Sequence, residues 1–422
     1  MVVGTRPGGR RVDLEAHARV RRGVLAGLAA LSVWGPSGPA DAATWSQTAA
    51  KLVHARDASP GRQFYVSPDG DDGNSGTSPD HAWRTLARVN AADLLPGDHV
   101  HLRGTATFAE PLAPYAGISG TSRSPIVFDS YGRGTATLRG GIYLNSVSDL
   151  AFTRLAVRAT RGKGVFSSAA GSGAKRIILR DVTISDTPLA AVSSNNRRDA
   201  DWLIDGVRIS RTGDSGIYFV GYGLTVRRST ILDTGLDAGI PYPRHGIYAK
   251  GADVTVTRNL IARFSTSGVS LRRESGRVSE NRIAGGRKGV SFDDEATAAG
   301  TTSIVRNSIS AVSDSGIAVA SARSERFLLA GNTVVGAGRF GVYLGRVHGV
   351  AITDNVVGVT RTATAVLGVR PPARRYFEHD NRWHGAPVNG FVWNGSPGTF
   401  ARYRRASGQG RSDLVADRAR RP

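Results

Sequence analysis

Ser215-Gly216-Ile217, His245-Gly246-Ile247, Ser267-Gly268-Val269, Lys288-Gly289-Val290, Ser315-Gly316-Ile317 and Phe340-Gly341-Val342 are six copies of one phrase. Its glycines stand 30, 22, 21, 27 and 25 positions apart. A second phrase falls between the copies, a β-prone run closed by Asn and an apolar residue. It reads Val256-Thr257-Arg258-Asn259-Leu260-Ile261, then recurs around Asn281, Asn307, Asn332 and Asn355. Earlier copies lack the Asn, as in Leu203-Ile204-Asp205-Gly206-Val207-Arg208-Ile209. A period in the twenties with several short alternating segments per repeat is the pattern of a β-solenoid, in which each coil buries its apolar face against the next. With side chains alternating along a strand, Ile217 and Phe219 face the core and Tyr218 faces out. The Asn of successive coils should stack as an amide ladder, and the repeated Gly should let the backbone bend at a corner. No Leu-x-x-Leu-x-Leu spacing is present, and a propeller needs a period near forty. The expected fold is all-β: a single-stranded right-handed parallel β-helix with a short N-terminal capping helix. Trp83, Leu86, Ala87 and Asn90, at helical spacing, supply that cap.

Composition agrees. The 422 residues include 53 Gly and no Cys, so disulfides, thiolate nucleophiles and Cys-based zinc sites are excluded. Only 21% of residues are charged and 40% are hydrophobic, which argues against wholesale disorder. The net charge of +21 is carried almost wholly by Arg and favours a polyanionic partner. Near the N-terminus, Arg10, Arg11, Arg19, Arg21 and Arg22 precede an apolar run from Val24 to Trp34 and the small-residue stretch Ala40-Asp41-Ala42-Ala43. That is the layout of a cleaved export signal, by the general or the twin-arginine route, and the run is too short to span a bilayer. The division expected is a signal peptide over 1–42, a linker over 43–61, the β-helix with its cap over 62–370, and a C-terminal capping segment with a basic tail over 371–422. An exported protein seldom meets the genome. The charge therefore points to an acidic polysaccharide or a cell-envelope glycan and not to nucleic acid, for a secreted, extracellular or periplasmic monomer.

The opening phrase Tyr65-Val66-Ser67-Pro68-Asp69-Gly70-Asp71-Asp72-Gly73-Asn74, the later Leu95-Pro96-Gly97-Asp98, and the repeats over about 62–417 resemble the pectate-lyase-like superfamily of right-handed β-helix proteins. The resemblance is specific for fold and poor for function.

Registering the coils on the Gly gives three columns expected to face outward. One runs Ser215, His245, Ser267, Lys288, Ser315, Phe340. The next runs Tyr218, Tyr248, Ser270, Ser291, Ala318, Tyr343. The third runs Val220, Lys250, Arg272, Asp293, Ala320, Gly345. Ionisable groups concentrate on three adjacent coils: His245, Tyr248 and Lys250; Arg272 and Arg273; Lys288, Asp293, Asp294 and Glu295. A mixed cluster of this kind is the candidate active site. Lys250, crowded by Arg272 and Lys288, suits a general base removing the α-proton of a uronate. Arg272 suits the sugar carboxylate, and Tyr248 or His245 the leaving oxygen. Arg273, Lys288, Tyr218, Asp293, Asp294 and Glu295 would line the substrate. Ala249-Lys250 followed one coil later by Gly268-Val269-Ser270-Leu271-Arg272-Arg273 resembles the lyase family of chondroitinase B and alginate lyases. That resemblance implies Lys250 as base and Arg272 as its partner. Arg273 stands where the family has His, and the Glu residues that hold calcium there are missing, so no cofactor is expected and calcium is not supported.

Two alternatives stand beside β-elimination or epimerisation. The chain could bind glycans or the cell envelope without catalysis, or be a glycoside hydrolase using Asp293, Asp294 and Glu295. The Asn column reads as structural, and Asp69, Asp71, Asp72 and Asn74 read as turn-forming residues rather than calcium ligands.

Overall fold

The structure, a computed structural model, describes residues 61–416 apart from 160, 274–275, 294–299, 322–325, 348 and 371–374. The expected signal peptide and linker, the basic tail from 417, and Asp294 and Glu295 lie outside the described residues. Three parallel sheets wrap one core: A and B with 13 strands each, C with 12. From Ile126–Tyr131 to Phe391–Trp393 each coil takes one strand from A, one from B and one from C. One such set is Val254–Thr257, Leu260–Phe264 and Ser267–Leu271. The inward residues form one continuous apolar core, from Val66 through Ile217, Ile261 and Val290 to Trp383. Ile217 and Phe219 are fully buried while Tyr218 between them is half-buried, as alternation requires.

Helix α1 (Leu86–Asn90) is shorter than the spacing suggested, because the chain reaches it from an extended segment. Trp83 is already bridged to Val66, and Thr85 caps the helix by accepting from Arg88 N–H. Leu86 and Val89 fill its core side, while Ala87 is exposed. Coil pairing continues past residue 370. Tyr376–His379 joins sheet A, Arg382–His384 joins B, Phe391–Trp393 joins C, and Leu414–Ala416 pairs with Arg382–His384. Helix α2 (Phe400–Ser407) packs its buried Tyr403 against Phe391, rings 5.5 Å apart.

The amide ladder forms and is longer than the Asn phrase alone implied. Each Asn donates through Nδ2 to Oδ1 of the next, from Asn259 through Asn281, Asn307, Asn332 and Asn355 to Asn381, at 2.9–3.0 Å. Each also donates to a carbonyl of the preceding coil, for example Asn307 to Val278 at 2.9 Å. Asp413 receives Asn381 N–H at 2.8 Å and ends the series.

The repeated glycines have a different cause from the one expected. None of the six adopts positive φ. Each instead lacks a Cβ where one would strike the next coil. A Cβ on Gly289 would lie 2.4 Å from Ile309 Cγ2, and on Gly316 2.4 Å from Val334 Cγ1. Those Ile and Val residues are the ones that follow the ladder Asn. The two sequence phrases are therefore the two halves of one inter-coil contact. The left-handed conformation falls instead on the residue before the ladder position, as at Arg258, Glu280 and Arg306.

Some of the arginines pair with carboxylates on neighbouring coils. Glu280 receives Arg258 at 2.8 Å and Arg306 at 2.5 Å from the coils on either side, and Asp186 bridges Arg158 and Arg211 in the same way. These exposed pairs lower the pKa of their carboxylates, Asp186 well below the usual range, the arginine hydrogen bond being the first cause.

Candidate functional site

Sheet C brings the predicted cluster together. Tyr218, Tyr248, Ser270 and Ser291 stand in register on successive strands, followed by Ala318 and Tyr343. At the centre is Tyr248. Its ring lies 4.6 Å from that of His245 and 5.6 Å from that of Tyr218. Lys250 Nζ sits 5.4 Å from its centroid and the Arg272 guanidinium 5.6 Å. Arg272 Nη1 donates to Asp293 Oδ2 at 2.8 Å, so a carboxylate from the following coil orients that guanidinium.

Two expectations about the columns change. His245 does not present its ring to solvent: it is 2% exposed, and neither ring nitrogen has a hydrogen-bond partner among the described residues. Burial, then the charges of Arg272 and Lys288, lowers its pKa to about 3. The imidazole is neutral at physiological pH. Arg272 and Lys288, the basic neighbours expected around Lys250, also bear on His245. The third column also breaks. A bulge follows Phe292, so Asp293 pairs with Ser321 and then Arg346 rather than with Ala320 and Gly345. Lys250 N–H bonds Phe219 O and Arg272 N–H bonds Ala249 O, so the register holds up to that point. Arg273 follows outside the strand, half-buried.

Beyond the cluster, sheet C carries a cavity of about 490 Å³ that the sequence reasoning did not single out as a site. Lys288 reaches it from one end, and Arg339, Arg370, Phe340 and Tyr343 line it with Asp314. Phe340 and Tyr343 were visible in the columns. Arg339 and Arg370 lie next to the columns rather than in them, so the repeat gave no signal for either.

The acidic opening loop is committed to its own turn. Asp72 Oδ1 receives Arg84 and Thr85 N–H and Oδ2 receives the Thr85 hydroxyl, Asp71 Oδ1 receives Gly73 N–H, and Asp69 pairs with Arg103. No group of three or more His, Asp or Glu suited to a metal occurs among the described residues. No helix among them is long and apolar enough to cross a membrane.

A family model described as "Right handed beta helix region" matches residues 244–396, the stretch that holds most of the cluster and the cavity. The chain is a right-handed parallel β-helix. Among curated proteins, a lacto-N-biosidase of Bifidobacterium longum subsp. longum is 38% identical over 81 residues, 18% of this chain and 5% of that one. Among solved structures, this β-helix is similar to a GH136 lacto-N-biosidase of Eubacterium ramulus, at 15% identity and TM-score 0.52 over 76% of this chain and 68% of that one. It is also similar to XylC in complex with xylose, at 12% identity and TM-score 0.54 over 84% and 86%. A tailspike protein of E. coli bacteriophage HK620, in complex with a pentasaccharide, matches at 12% identity and TM-score 0.53 over 81% and 65%. At these identities the likeness is one of fold.

Proposed function

We propose that this β-helix is a secreted carbohydrate-active enzyme on a uronate-bearing polysaccharide, with Tyr248, Lys250 and Arg272 as its reacting groups. The observation that carries the reading is the convergence of a lysine, an arginine and a neutral histidine on one tyrosine ring. Each role follows from chemistry. A uronate carboxylate placed against the Asp293-held Arg272 takes up negative charge as the α-proton leaves. Lys250, in its amine form, accepts that proton. The C–H electron pair becomes the new carbon–carbon double bond, the glycosidic C–O bond breaks, and the leaving oxygen takes a proton from Tyr248 O–H. Return of a proton to the opposite face instead would give epimerisation. His245, neutral and covered, packs under Tyr248 and fixes its ring; its buried nitrogens suit it to positioning rather than to proton delivery.

A second reading is favoured by the 81-residue likeness to a lacto-N-biosidase, a hydrolase by its name. Incubation with alginate, pectate and chondroitin separates the two. Elimination yields an unsaturated uronate with new ultraviolet absorbance, lost in Lys250→Ala with the far-ultraviolet dichroism unchanged. New reducing ends without that absorbance would instead establish the hydrolase. Glycan binding with no new ends would leave the non-catalytic role.

A further inference from the structure

The outward column of sheet C has a shape that the reacting cluster alone does not use. Tyr248 and Tyr343 bracket three small residues on consecutive coils, the half-buried Ser291 and, at the floor, the buried Ser270 and Ala318. At about 4.8 Å per coil the two rings stand roughly 19 Å apart, room for about four pyranose rings of an extended chain. Past Tyr343 the column is Gly368, where a Cβ would meet the Phe340 ring at 3.0 Å and the Tyr343 ring at 3.5 Å. The missing side chain lets both rings settle over that coil, 5.1 Å apart, as an aromatic platform at the cavity. The antiparallel hairpin of Phe391–Trp393 and Ser396–Gly398 supplies the cavity's far wall through Val392 and Pro397.

The charges around this platform differ from those in the turns. Arg258, Arg306, Arg158 and Arg211 are matched by stacked carboxylates. Lys288, Arg339 and Arg370 have no carboxylate within 4.0 Å among the described residues; instead Arg339 lies over the Phe340 ring at 5.3 Å and Arg370 over Tyr343 at 6.0 Å. The one acid among the described lining residues, Asp314, is occupied by the Ser315 hydroxyl at 2.9 Å and by Arg287 at 3.6 Å. The aromatic floor gives the apolar C–H face of a pyranose a surface to stack on, and the three cations, unmatched by acids among the described residues, suit a carboxylate carried by that sugar.

We propose that the cavity at Tyr343 is a remote subsite for a carboxylated sugar, and that the trough from Tyr248 to Arg370 holds an acidic oligosaccharide of about five units along the solenoid axis. This rests on the acidic-glycan reading above, and its test is independent of the chemistry at Lys250. Calorimetric titrations use pentamers of galacturonate and of mannuronate, neutral xylopentaose, and a sulfated chondroitin hexasaccharide, with every protein carrying Lys250→Ala so that binding is read by itself. At least one polyuronate is expected to bind, with affinity rising from dimer to pentamer and then levelling. Tyr343→Ala, or Arg339→Gln with Arg370→Gln, should weaken the pentamer at least tenfold, while Tyr343→Phe stays within about threefold. Dichroism shows whether each variant is folded, and Tyr343→Phe with the two arginine changes keeps the test decisive if Tyr343→Ala unfolds. Binding of neither polyuronate, equal binding of xylopentaose, binding of the sulfated oligomer alone, or indifference to the Tyr343 and Arg370 changes would each overturn the subsite. Turnover surviving Lys250→Ala, with the subsite effects intact, would instead overturn the elimination chemistry and leave the subsite standing.

Discussion

Replacing Asn307 by Ala tests how much of the solenoid's cohesion lies in its amide ladder. The Asn307 side chain makes four buried hydrogen bonds: Nδ2 to Val278 O and to Asn332 Oδ1, and Oδ1 from Asn281 N–H and Nδ2. A buried hydrogen bond is worth about 1 kcal/mol net, so the loss should approach ~4 kcal/mol, with orphaned partners adding to it. Asn259 supplies an internal comparison, because its Oδ1 receives only Ser229 N–H at 2.9 Å while its Nδ2 makes two bonds. Asn259→Ala should therefore cost about 1 kcal/mol less. Stacked coils can open in segments. The assay accordingly pairs urea unfolding with amide hydrogen exchange at residues 281 and 332, where protection should fall first. A loss below about 1 kcal/mol for Asn307→Ala, or a larger one for Asn259→Ala, would refute the ladder as a sum of these bonds.

Three further outcomes follow from packing and titration. Gly289→Ala puts a Cβ 2.4 Å from Ile309 Cγ2 and 2.6 Å from Gly316 O, and should cost about 1–3 kcal/mol in a urea titration although alanine suits the backbone angles. His245 has a folded pKa of about 3, below its ordinary 6.5, so between those values the unfolded chain holds a proton that the folded chain does not. Its stability contribution is full above about pH 6.5 and shrinks as pH falls toward 3, and His245→Phe should remove that part of the slope from urea midpoints taken between pH 4 and 8. Burial and the nearby Asp413 raise the Glu378 carboxyl well above its ordinary value. Its contribution is whole below about pH 4.5 and is lost as pH rises; Glu378→Gln should match the wild type at pH 4 and exceed it at pH 8 in thermal midpoint.

Sequence reasoning located the coils because Asn and Gly recur for local, repeated causes. Each Asn must meet the next Asn, and each Gly must clear a specific Ile or Val, so the period is written directly in residue type. It located the centre of the candidate site for the same reason, since Tyr248, Lys250 and Arg272 occupy repeat positions. Non-repeating features escaped it. The bulge after Phe292 shifts Asp293 by one register without a residue that announces it. Arg370 reaches the cavity from just past a strand end, where no column is defined. Burial of His245 depends on neighbours from the following coils, which no single repeat contains.

The ladder also has a grammar. Every Asn both gives and receives, so an interior coil is chemically interchangeable with its neighbours, and one could be added or removed with the hydrogen-bond relay reforming across the join. Asp413 differs because a carboxylate only receives: it takes Asn381 N–H at 2.8 Å and Trp383 Nε1–H at 2.7 Å and has nothing to pass on. The relay is therefore polar, with a full stop written at one end, where Trp383 lends Asp413 a second donor. Over evolutionary time such a scaffold can lengthen from the inside, carrying new subsites into its trough, while its terminator stays unchanged.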